Sequence, residues 1–180
     1  MAFLWRQYTR LLEKYPWRTQ ILQTGVLCAT GDAIAQTLIE KRKLSDFDTS
    51  RSVKFFVLGT CVVAPIIRTW YLTLDKIVKF QGAKGAMTKM CMDQGIFAPC
   101  FIVIFSTSAF TLNGGQPKNL KAHLDNIYFD ILLSNWKLWP AAQMLNFYFV
   151  PLHHRLLVMN MVALIWNTYL AWKTNLTKPT

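Results

Sequence analysis

Acidic residues are scarce in this sequence: 9 Asp and Glu stand against 20 Lys and Arg, which gives a formal net charge of +11 over 180 residues. A nucleic-acid-binding protein would gather such a charge into one patch with exposed aromatic side chains. Here the basic residues are divided among the polar stretches that separate the apolar segments. We therefore expect no direct nucleic-acid partner, and we expect the basic stretches to lie against anionic lipids of a bilayer.

Motifs of enzyme chemistry are also missing. The chain has no H-E-x-x-H, G-x-S-x-G, G-K-S/T or G-x-G-x-x-G pattern. His153 and His154 are adjacent, so on a helix their side chains diverge by about 100° and cannot chelate one metal ion together. His123 stands alone in a polar stretch. We expect no enzymatic activity, no catalytic or metal-binding residues and no cofactor.

Cysteine pairs with C-x-x-C spacing are absent too. The four cysteines mostly lie inside apolar runs, so we interpret them as buried thiols. A redox switch is the alternative interpretation, and Cys61 and Cys100 are its candidates. The positions are Cys28, Cys61, Cys91 and Cys100.

Apolar residues, in contrast, are abundant. Hydrophobic residues make up 53% and aromatic residues 14% of the chain, which is rich for a soluble protein of this size. The mean hydropathy is only +0.23, a value typical of spans that are interrupted by polar residues and separated by basic loops. We predict an all-α fold, in which residues 1–180 form a single membrane domain built as a polytopic transmembrane helix bundle.

We predict four to five spans in this bundle. Residues 19–39 number 21, and as a helix they rise about 31 Å, which covers one hydrocarbon thickness. Lys and Arg are shared too evenly among the connecting stretches to fix the orientation. The other predicted spans lie at about 55–74, 94–112 and 131–152, with 156–172 as a short fifth span or a reclining helix, and the predicted loops are 40–54, 75–93 (with a short surface helix), 113–115 and 120–130.

Residues 1–15 form a predicted N-terminal arm. Arg6, Arg10 and Lys14 recur every four residues and so share one face of a basic amphipathic helix. Pro16 then ends this helix. The arm resembles a mitochondrial address more than a secretory signal, and an interfacial anchor without an address function is the alternative. We expect internal spans to carry the address, because the arm is short and poor in serine.

Polar residues inside the spans are the candidate functional residues. A charged side chain in hydrocarbon costs about 2.5–3.5 kcal/mol or more unless it is paired or hydrated, so such residues either line a pore or bond neighbouring helices. Asp32 shares a stripe with the small residues Gly25 and Ala29, which leave room for water. We therefore predict that Asp32 sets a cation preference. The candidates are Asp32, Gln36, Arg68, Asp93, Gln94, Gln143 and Asn146.

Depth in the membrane predicts which charges pair. If the spans alternate in direction, Asp32 and Lys137 both lie about 10 Å from one membrane face and could pair. Arg68 lies nearer the opposite face, with Asp75 and Asp93. The second span ends in a Trp70-Tyr71 pair, which we expect in the aromatic belt at the headgroup level.

The stretch from Trp136 to Arg155 combines apolar residues with amides and prolines. Gln143 and Asn146 share one stripe of its predicted helix. Pro140 and Pro151 cannot donate backbone hydrogen bonds, so the carbonyl groups one turn earlier must find other partners.

This same stretch carries a family resemblance that runs almost from end to end of the chain. Its pattern, W-x-x-W-P-x-x-Q-x-x-N-F-x-x-V-P-x-x-x-R, is the most specific part. The chain resembles the Mpv-seventeen and twenty-two-kilodalton peroxisomal membrane protein family. The other residues that carry the resemblance are Trp5, Tyr8, Tyr15-Pro16, Thr24-Gly25, Gly31-Asp32, Gln36, Arg51, Gly59, Trp70-Tyr71, Leu74-Asp75, Asp93-Gln94, Pro99, Trp166-Asn167 and Tyr169-Leu170.

The resemblance implies about four spans, no enzymatic activity, and a non-selective channel that supports mitochondrial homeostasis, nucleotide supply and mitochondrial DNA maintenance. The arm and residues 93–101 and 147–153 look most like a multi-pass member in the mitochondrial inner membrane. Ala64-Pro65 stands where the family more commonly has Gly-Pro, and the family has no fixed basic residue at Arg68 or Lys137, so it implies no pore role for these two.

Two other functions are alternatives to the channel: a membrane scaffold, which affects nucleotide pools indirectly, and a metabolite carrier. Carriers usually show internal repeats, and the sequence has none. The expected partners are the bilayer itself and either further copies of this chain, in a homo-oligomer, or a larger membrane complex.

Overall fold

The computed structural model describes residues 2–112 and 114–176, and the side chains of residues 6–112 and 114–165. Within this part of the chain the regular structure is helical throughout, which confirms the all-α class. Trp5, Trp166-Asn167 and Tyr169-Leu170 lie outside the described side chains. The helices are α1 (Ala2–Lys14), α2 (Pro16–Ile34), α3 (Thr49–Leu58), α4 (Ala64–Ile77), α5 (Gly82–Met92), α6 (Ala98–Leu112), α7 (Leu120–Phe149) and α8 (Leu152–Leu176), with 3₁₀ turns at Leu44–Asp46 and Pro117–Asn119.

Three five-residue π-helical turns widen these helices. One extends α2 over Ala35–Ile39, and two join consecutive helices, at Gly59–Val63 and Asp93–Phe97. The two joining turns are each followed within two residues by a proline, Pro65 or Pro99. A proline ring clashes with the carbonyl group of residue i−4 in a regular α-helix, and a wider turn relieves that clash. The chain therefore stays helical through both prolines.

Two continuous helices result, Thr49–Ile77 with 29 residues and Gly82–Leu112 with 31, and both are long and apolar enough to cross a membrane. They contain the spans predicted at 55–74 and 94–112. A shorter apolar helix covers Leu152–Ile165. The spans at 19–39, 131–152 and 156–172 stay predictions.

The predicted loops at 40–54 and 120–130 are wrong over much of their length, whereas the short helix predicted within 75–93 is confirmed by α5. Helix α3 begins at Thr49, α5 begins at Gly82 and α7 begins at Leu120, so most of the charged stretches are helical. Lys, Arg and Glu are good helix formers, and their charge indicates exposure rather than irregular backbone. The predicted turn after α6 is confirmed at its described residues 114 and 115: Gly114 has a φ of 84° and the Gly115 N–H donates to the Phe110 carbonyl at 2.9 Å.

The chain divides into two compact units. Unit 1 comprises residues 1–65 with 160–180, and unit 2 comprises residues 66–159. In unit 1, α2 packs on α1 and on α3; in unit 2, α7 packs on α5 and on α6. The single membrane domain of residues 1–180 stays a prediction.

Both units bury polar side chains and expose apolar ones. On α2 and its π-helical extension Thr24 and Gln36 are fully buried while Leu38 is 69% exposed, and on α7 Asn146 is buried while Phe149 is 70% exposed. A soluble protein shows the opposite arrangement. Helices whose outer surface meets lipid can leave apolar side chains outside and satisfy polar ones inside.

The interpretation of the cysteines as buried thiols is wrong for three of them. Cys61, Cys91 and Cys100 are exposed, and Cys28 is partly buried. Apolar runs in this chain cover the outside of the helices, so a cysteine within such a run faces outward. The redox interpretation of Cys61 and Cys100 stays untested.

Candidate functional site

Asp93, at the start of the π-helical turn between α5 and α6, places a carboxylate in the interior of unit 2. Asp93 is 2% exposed. Trp70 Nε1 donates to its Oδ1 at 2.8 Å, and the side-chain amides of Gln94 and Gln143 donate to its Oδ2 at 2.7 and 2.9 Å. In the described part of the chain no Lys or Arg nitrogen lies within 4 Å of this carboxylate. Three neutral donors from three segments therefore hold it.

The π-helical turn explains how the neighbours Asp93 and Gln94 both point inward. It diverts the Ala98 N–H to the Asp93 carbonyl, so the Gln94 carbonyl loses its usual i+4 donor. The next residue, Pro99, has no N–H to offer. The indole Nε1 of Trp136 supplies the missing bond at 3.1 Å. One tryptophan on α7 thus compensates for the backbone defect that the proline creates on the facing helix.

The network continues along α7 from Gln143. Its amide nitrogen also donates to the hydroxyl of Tyr71 at 3.1 Å, and Asn146 Nδ2 donates to Gln143 Oε1 at 3.2 Å. Asn146 is 1% exposed, and its Oδ1 has no donor among the described residues. A buried acceptor without a partner costs about 1–3 kcal/mol. The network therefore has unused acceptor capacity at this point.

A second cluster in unit 2 surrounds Asp75. Its Oδ1 accepts hydrogen bonds from Lys89 Nζ and from Arg155 Nη1, the latter at 2.7 Å. Arg155 also donates from Nε to the Val150 carbonyl at 3.0 Å, and its guanidinium lies 5.4 Å from the centre of the Phe147 ring. Arg155 thereby connects α4 to the break between α7 and α8 that Pro151 causes.

Unit 1 has its own buried carboxylate, Asp32, on α2. Arg51 Nε lies 2.6 Å from its Oδ1, while Ser52 Oγ and Gln36 Nε2 donate to its Oδ2 at 2.7 and 2.8 Å. Arg51 also pairs with Glu40 at 2.6 Å. Partial burial disfavours the charged form of Glu40, but the hydrogen bonds and charges of Arg51 and Arg42 outweigh it and lower the pKa of Glu40.

Gln36 ties the 40–48 connection to this cluster. Its Oε1 accepts from the Asp48 backbone N–H at 2.8 Å, and its Nε2 donates to the Asp48 carbonyl at 3.0 Å. The Asp48 carboxylate in turn caps α3 by accepting from the Arg51 N–H at 2.9 Å. A buried amide thus fixes where the next helix begins.

The crossing of α2 with the α3–α4 helix is unusually close. A Cβ added to Gly59 would lie 2.9 Å from the Gly25 Cα and 3.0 Å from the Thr24 carbonyl oxygen. A Cβ added to Gly25 would overlap the Thr60 methyl group. Two glycines therefore face each other at the crossing, as small residues do in membrane helix pairs.

The structure divides the predicted site residues between the two units. Asp93, Gln94, Gln143 and Asn146 form one network in unit 2, and Asp32 and Gln36 form another in unit 1. Arg68 lies half-buried on α4 and Lys137 is exposed on α7.

Sequence reasoning missed several members of these clusters. The sequence predicts a loop at Arg51 and a pairing of Asp32 with Lys137, yet in the structure Arg51 supplies the counter-charge of Asp32. The sequence predicts Tyr71 in a belt at the headgroup level, yet Tyr71 is 3% exposed and its hydroxyl accepts a hydrogen bond from Gln143. The belt interpretation is therefore wrong for Tyr71. Tyr71 and Asp75 are four residues apart on one helix and so lie on the same face, which is the sequence signal that could have placed Tyr71 in the interior.

Polar networks inside apolar-surfaced helices define a helical membrane protein. Residues 110–171 match the model of the Mpv17 / PMP22 family. The chain is 45% identical to the mitochondrial inner membrane protein Mpv17 of Xenopus laevis over 97% of this chain and 99% of that protein, and 43% identical to the human protein of that name over 96% and 98%. The protein sym-1 of Neurospora crassa is 38% identical over 92% and 95%.

The chain belongs to the Mpv17 / PMP22 family. The family resemblance found in the sequence is therefore confirmed. The predicted location, as a transmembrane protein of the mitochondrial inner membrane, is confirmed as well. No solved structure matches the chain.

Proposed function

We propose that this protein is a weakly selective channel of the mitochondrial inner membrane, which supports mitochondrial homeostasis, nucleotide supply and mitochondrial DNA maintenance. Two features support the proposal: the membership of the family, and the concentration of polar side chains inside helices that expose apolar residues. A pathway for hydrophilic solutes needs such an interior, because lipid-facing positions cannot solvate them.

The network in unit 2 carries the proposal. The Asn146 Oδ1 is buried and finds no donor among the described residues, and a water molecule or a polar solute that entered the network would relieve the cost of this unpaired acceptor. Among the described residues Asp93 has neutral donors only, so no adjacent cation cancels the charge of its ionised form. A fixed negative charge beside a wet passage favours cations.

Asp93 is therefore a better candidate than Asp32 for setting ion preference. The guanidinium of Arg51 lies 2.6 Å from the Asp32 carboxylate and cancels most of its field at a distance. The pathway that we propose follows Asp93, Gln143 and Asn146, and the Asp32 cluster serves packing.

A membrane scaffold is the second candidate function, and one observation favours it. The side-chain amides of Gln36 and Gln143 each make three or more hydrogen bonds to neighbouring protein groups. If every polar group is used in this way, the interior holds the helices together and conducts nothing.

Purified protein in planar bilayers separates these functions. Unitary conductance is the result expected for a channel. Saturable exchange without conductance would assign the protein to the carriers, and the absence of both would assign it to the scaffolds.

A pair of variants then tests the pathway. Asn146→Leu removes the buried amide from the network, and we expect unitary conductance to fall severalfold while the protein stays folded. Asn160→Leu removes a buried asparagine of unit 1, whose Nδ2 donates to Thr24 Oγ1 at 2.8 Å. Equal losses in the two variants would indicate a general defect and would remove Asn146 from the pathway.

A further inference from the structure

The turn between the two candidate spans lies at the surface of the membrane. Residues 78–81 connect the helix Thr49–Ile77 to the helix Gly82–Leu112. With 29 and 31 residues, these helices rise about 44 and 47 Å, which exceeds a hydrocarbon core of about 30 Å. The turn interrupts the helical hydrogen bonding, which is costly in hydrocarbon, so we expect it to lie at the level of the phospholipid headgroups.

Residues 76–84, which we call the basic turn, expose cations and apolar side chains next to each other. Ile77 is 60% and Phe80 is 52% exposed, and the segment contains no acidic residue. Lys76, Lys79 and Lys84 are exposed as well. In the described part of the chain none of these three ammonium groups lies within 4 Å of a carboxylate.

The backbone holds the basic turn in one shape. Val78 is buried, with 5% exposure, and anchors the turn to unit 2. Gly82 adopts a φ of 64°, which favours glycine, and a Cβ added to Gly85 would overlap the Phe80 carbonyl group. The exposed Phe80 ring has Lys84 Nζ 4.8 Å from its centre. A preformed surface loses little conformational entropy when it binds.

The nearest acidic residue does not weaken the positive field of this surface. Asp75 is shared by Lys89 and Arg155, so that cluster has a formal charge of +1 rather than −1. The three lysines of the basic turn add to it. A partner of this end of unit 2 must therefore be anionic, and it must also accommodate exposed isoleucine and phenylalanine side chains.

We propose that the basic turn is a binding site for the headgroup phosphates of anionic phospholipids. The ammonium groups of Lys76, Lys79 and Lys84 reach phosphate oxygens from stems that follow the apolar surface. Ile77 and Phe80 enter the boundary between headgroups and acyl chains, as apolar side chains of interfacial segments do. The inference depends on the membrane location of the protein and is independent of whether it conducts.

Lipid preference can be measured on the full chain. The protein is reconstituted in phosphatidylcholine with spin-labelled phosphatidylglycerol or spin-labelled phosphatidylcholine, and the immobilised fraction gives the ratio of the two association constants. We expect wild type to prefer the anionic lipid. Lys79→Gln/Lys84→Gln should reduce the preference by at least about fivefold, because the loss of a single basic residue near an anionic membrane surface already accounts for a factor of that size.

Two further variants keep this test specific. Lys79→Arg/Lys84→Arg retains the charge and should retain the preference. Lys118→Gln/Lys121→Gln, the α7 variant, removes one exposed lysine from the 3₁₀ turn before α7 and one from the first turn of α7, and it should reduce the preference by less than Lys79→Gln/Lys84→Gln does. Circular dichroism establishes that each variant is folded.

Three results would overturn the proposal. The first is the absence of any preference for the anionic lipid in wild type, and the second is an equal loss of that preference in the basic-turn and α7 variants. If millimolar inorganic phosphate abolished the preference at constant ionic strength, the site would be one for free phosphate and the lipid assignment would fail. Conductance plays no part in these readouts, so the channel proposal stands or falls separately.

Discussion

Arg51 and Asp32 form a buried ion pair in unit 1, with Nε and Oδ1 2.6 Å apart and the aspartate side chain only 1% exposed. The arginine comes from the first turn of α3 and the aspartate from the last turns of α2. The pair therefore joins two helices that are separated in sequence by the charged 40–48 connection. Arg51 also reaches Glu40, so one guanidinium orders both the helix pair and the connection.

Loss of Arg51 should be more costly than loss of Arg42. Breaking a buried pair costs about 3–5 kcal/mol because a charge is left unpaired. The Arg51 side chain is 26% exposed, so we expect Arg51→Gln to lower the free energy of unfolding by about 2–3 kcal/mol. Arg42→Gln, at the exposed pair with Glu40, should cost less than about 1 kcal/mol.

Denaturant unfolding in detergent measures both values. The double variant Asp32→Asn/Arg51→Gln should recover part of the stability lost in Arg51→Gln, because no buried charge then remains. Equal costs for Arg51→Gln and Arg42→Gln would show that the pair with Asp32 contributes no more than a surface contact.

The glycines of the α2 crossing give a second prediction. A Cβ at Gly59 would press on the backbone of Gly25 and Thr24, which cannot move aside as a side chain can. We expect Gly59→Ala to destabilise the protein by about 1–3 kcal/mol. Gly95, in the π-helical turn before α6, has nothing within 4 Å of such a Cβ.

Gly95→Ala is accordingly the control, and it should be neutral or stabilising by up to about 1 kcal/mol. Thermal unfolding of the two alanine variants under identical detergent conditions compares them. A stability loss in Gly95→Ala as large as that in Gly59→Ala would mean that both glycines act through backbone freedom rather than close approach.

Asp93→Asn tests the proposed source of ion preference. The amide preserves the size of the side chain but removes its charge, and it can accept at one position only, so one or more of the three hydrogen bonds is lost. We expect the variant to fold with lower stability, and its reversal potential in a salt gradient to shift away from cation preference. Asp32→Asn should leave the reversal potential close to that of wild type, and a larger shift there than in Asp93→Asn would contradict this assignment.

The pairing of Glu40 predicts a pH dependence. Its pKa in the folded protein lies below the ordinary value of 4.5, because Arg51 and Arg42 favour the charged form more than partial burial disfavours it. The folded state therefore binds this proton less readily than the unfolded state, so the stabilisation is present above the ordinary pKa and is lost as pH falls through the lowered one.

Glu40→Gln should remove this part of the acid sensitivity. Wild type should lose stability relative to the variant as pH falls from about 5, by less than about 1 kcal/mol, the range of surface pairs. Denaturation midpoints measured at pH 7 and in the acid range provide the comparison. A constant difference between the two proteins at all pH values would exclude a titrating role for Glu40.

Deleting residues 2–15 tests whether the N-terminal arm carries the mitochondrial targeting signal and, separately, whether it stabilises the folded protein. We expect import into isolated mitochondria to continue, because the arm is short and poor in serine. The deletion removes the hydrogen bond from the Tyr8 hydroxyl to Gln23 Oε1, at 2.8 Å, and the buried Leu12 side chain. Imported protein should therefore be more sensitive to protease, and complete mislocalisation would show instead that the arm is the address.

The sequence alone determined the parts of this protein that depend on local order along the chain. Apolar composition predicted the segments 55–74 and 94–112, which lie inside the two candidate spans. Pro16 ended the first helix because a proline cannot continue the hydrogen-bond pattern, and α2 begins at that residue. The family motifs predicted the location in the inner membrane. Helical periodicity also predicted that Gln143 and Asn146 would share a face.

Only the tertiary structure decided which groups meet. Periodicity tells which face of its helix a side chain occupies, but the partner across the interface depends on the order and rotation of the helices, which packing sets. Depth arguments therefore paired Asp32 with Lys137, whereas Arg51 lies beside it. The π-helical turn at Asp93–Phe97 could not be predicted from local sequence either. It leaves the Gln94 carbonyl without a donor in its own helix, and the donor that replaces it, Trp136 Nε1, comes from another helix.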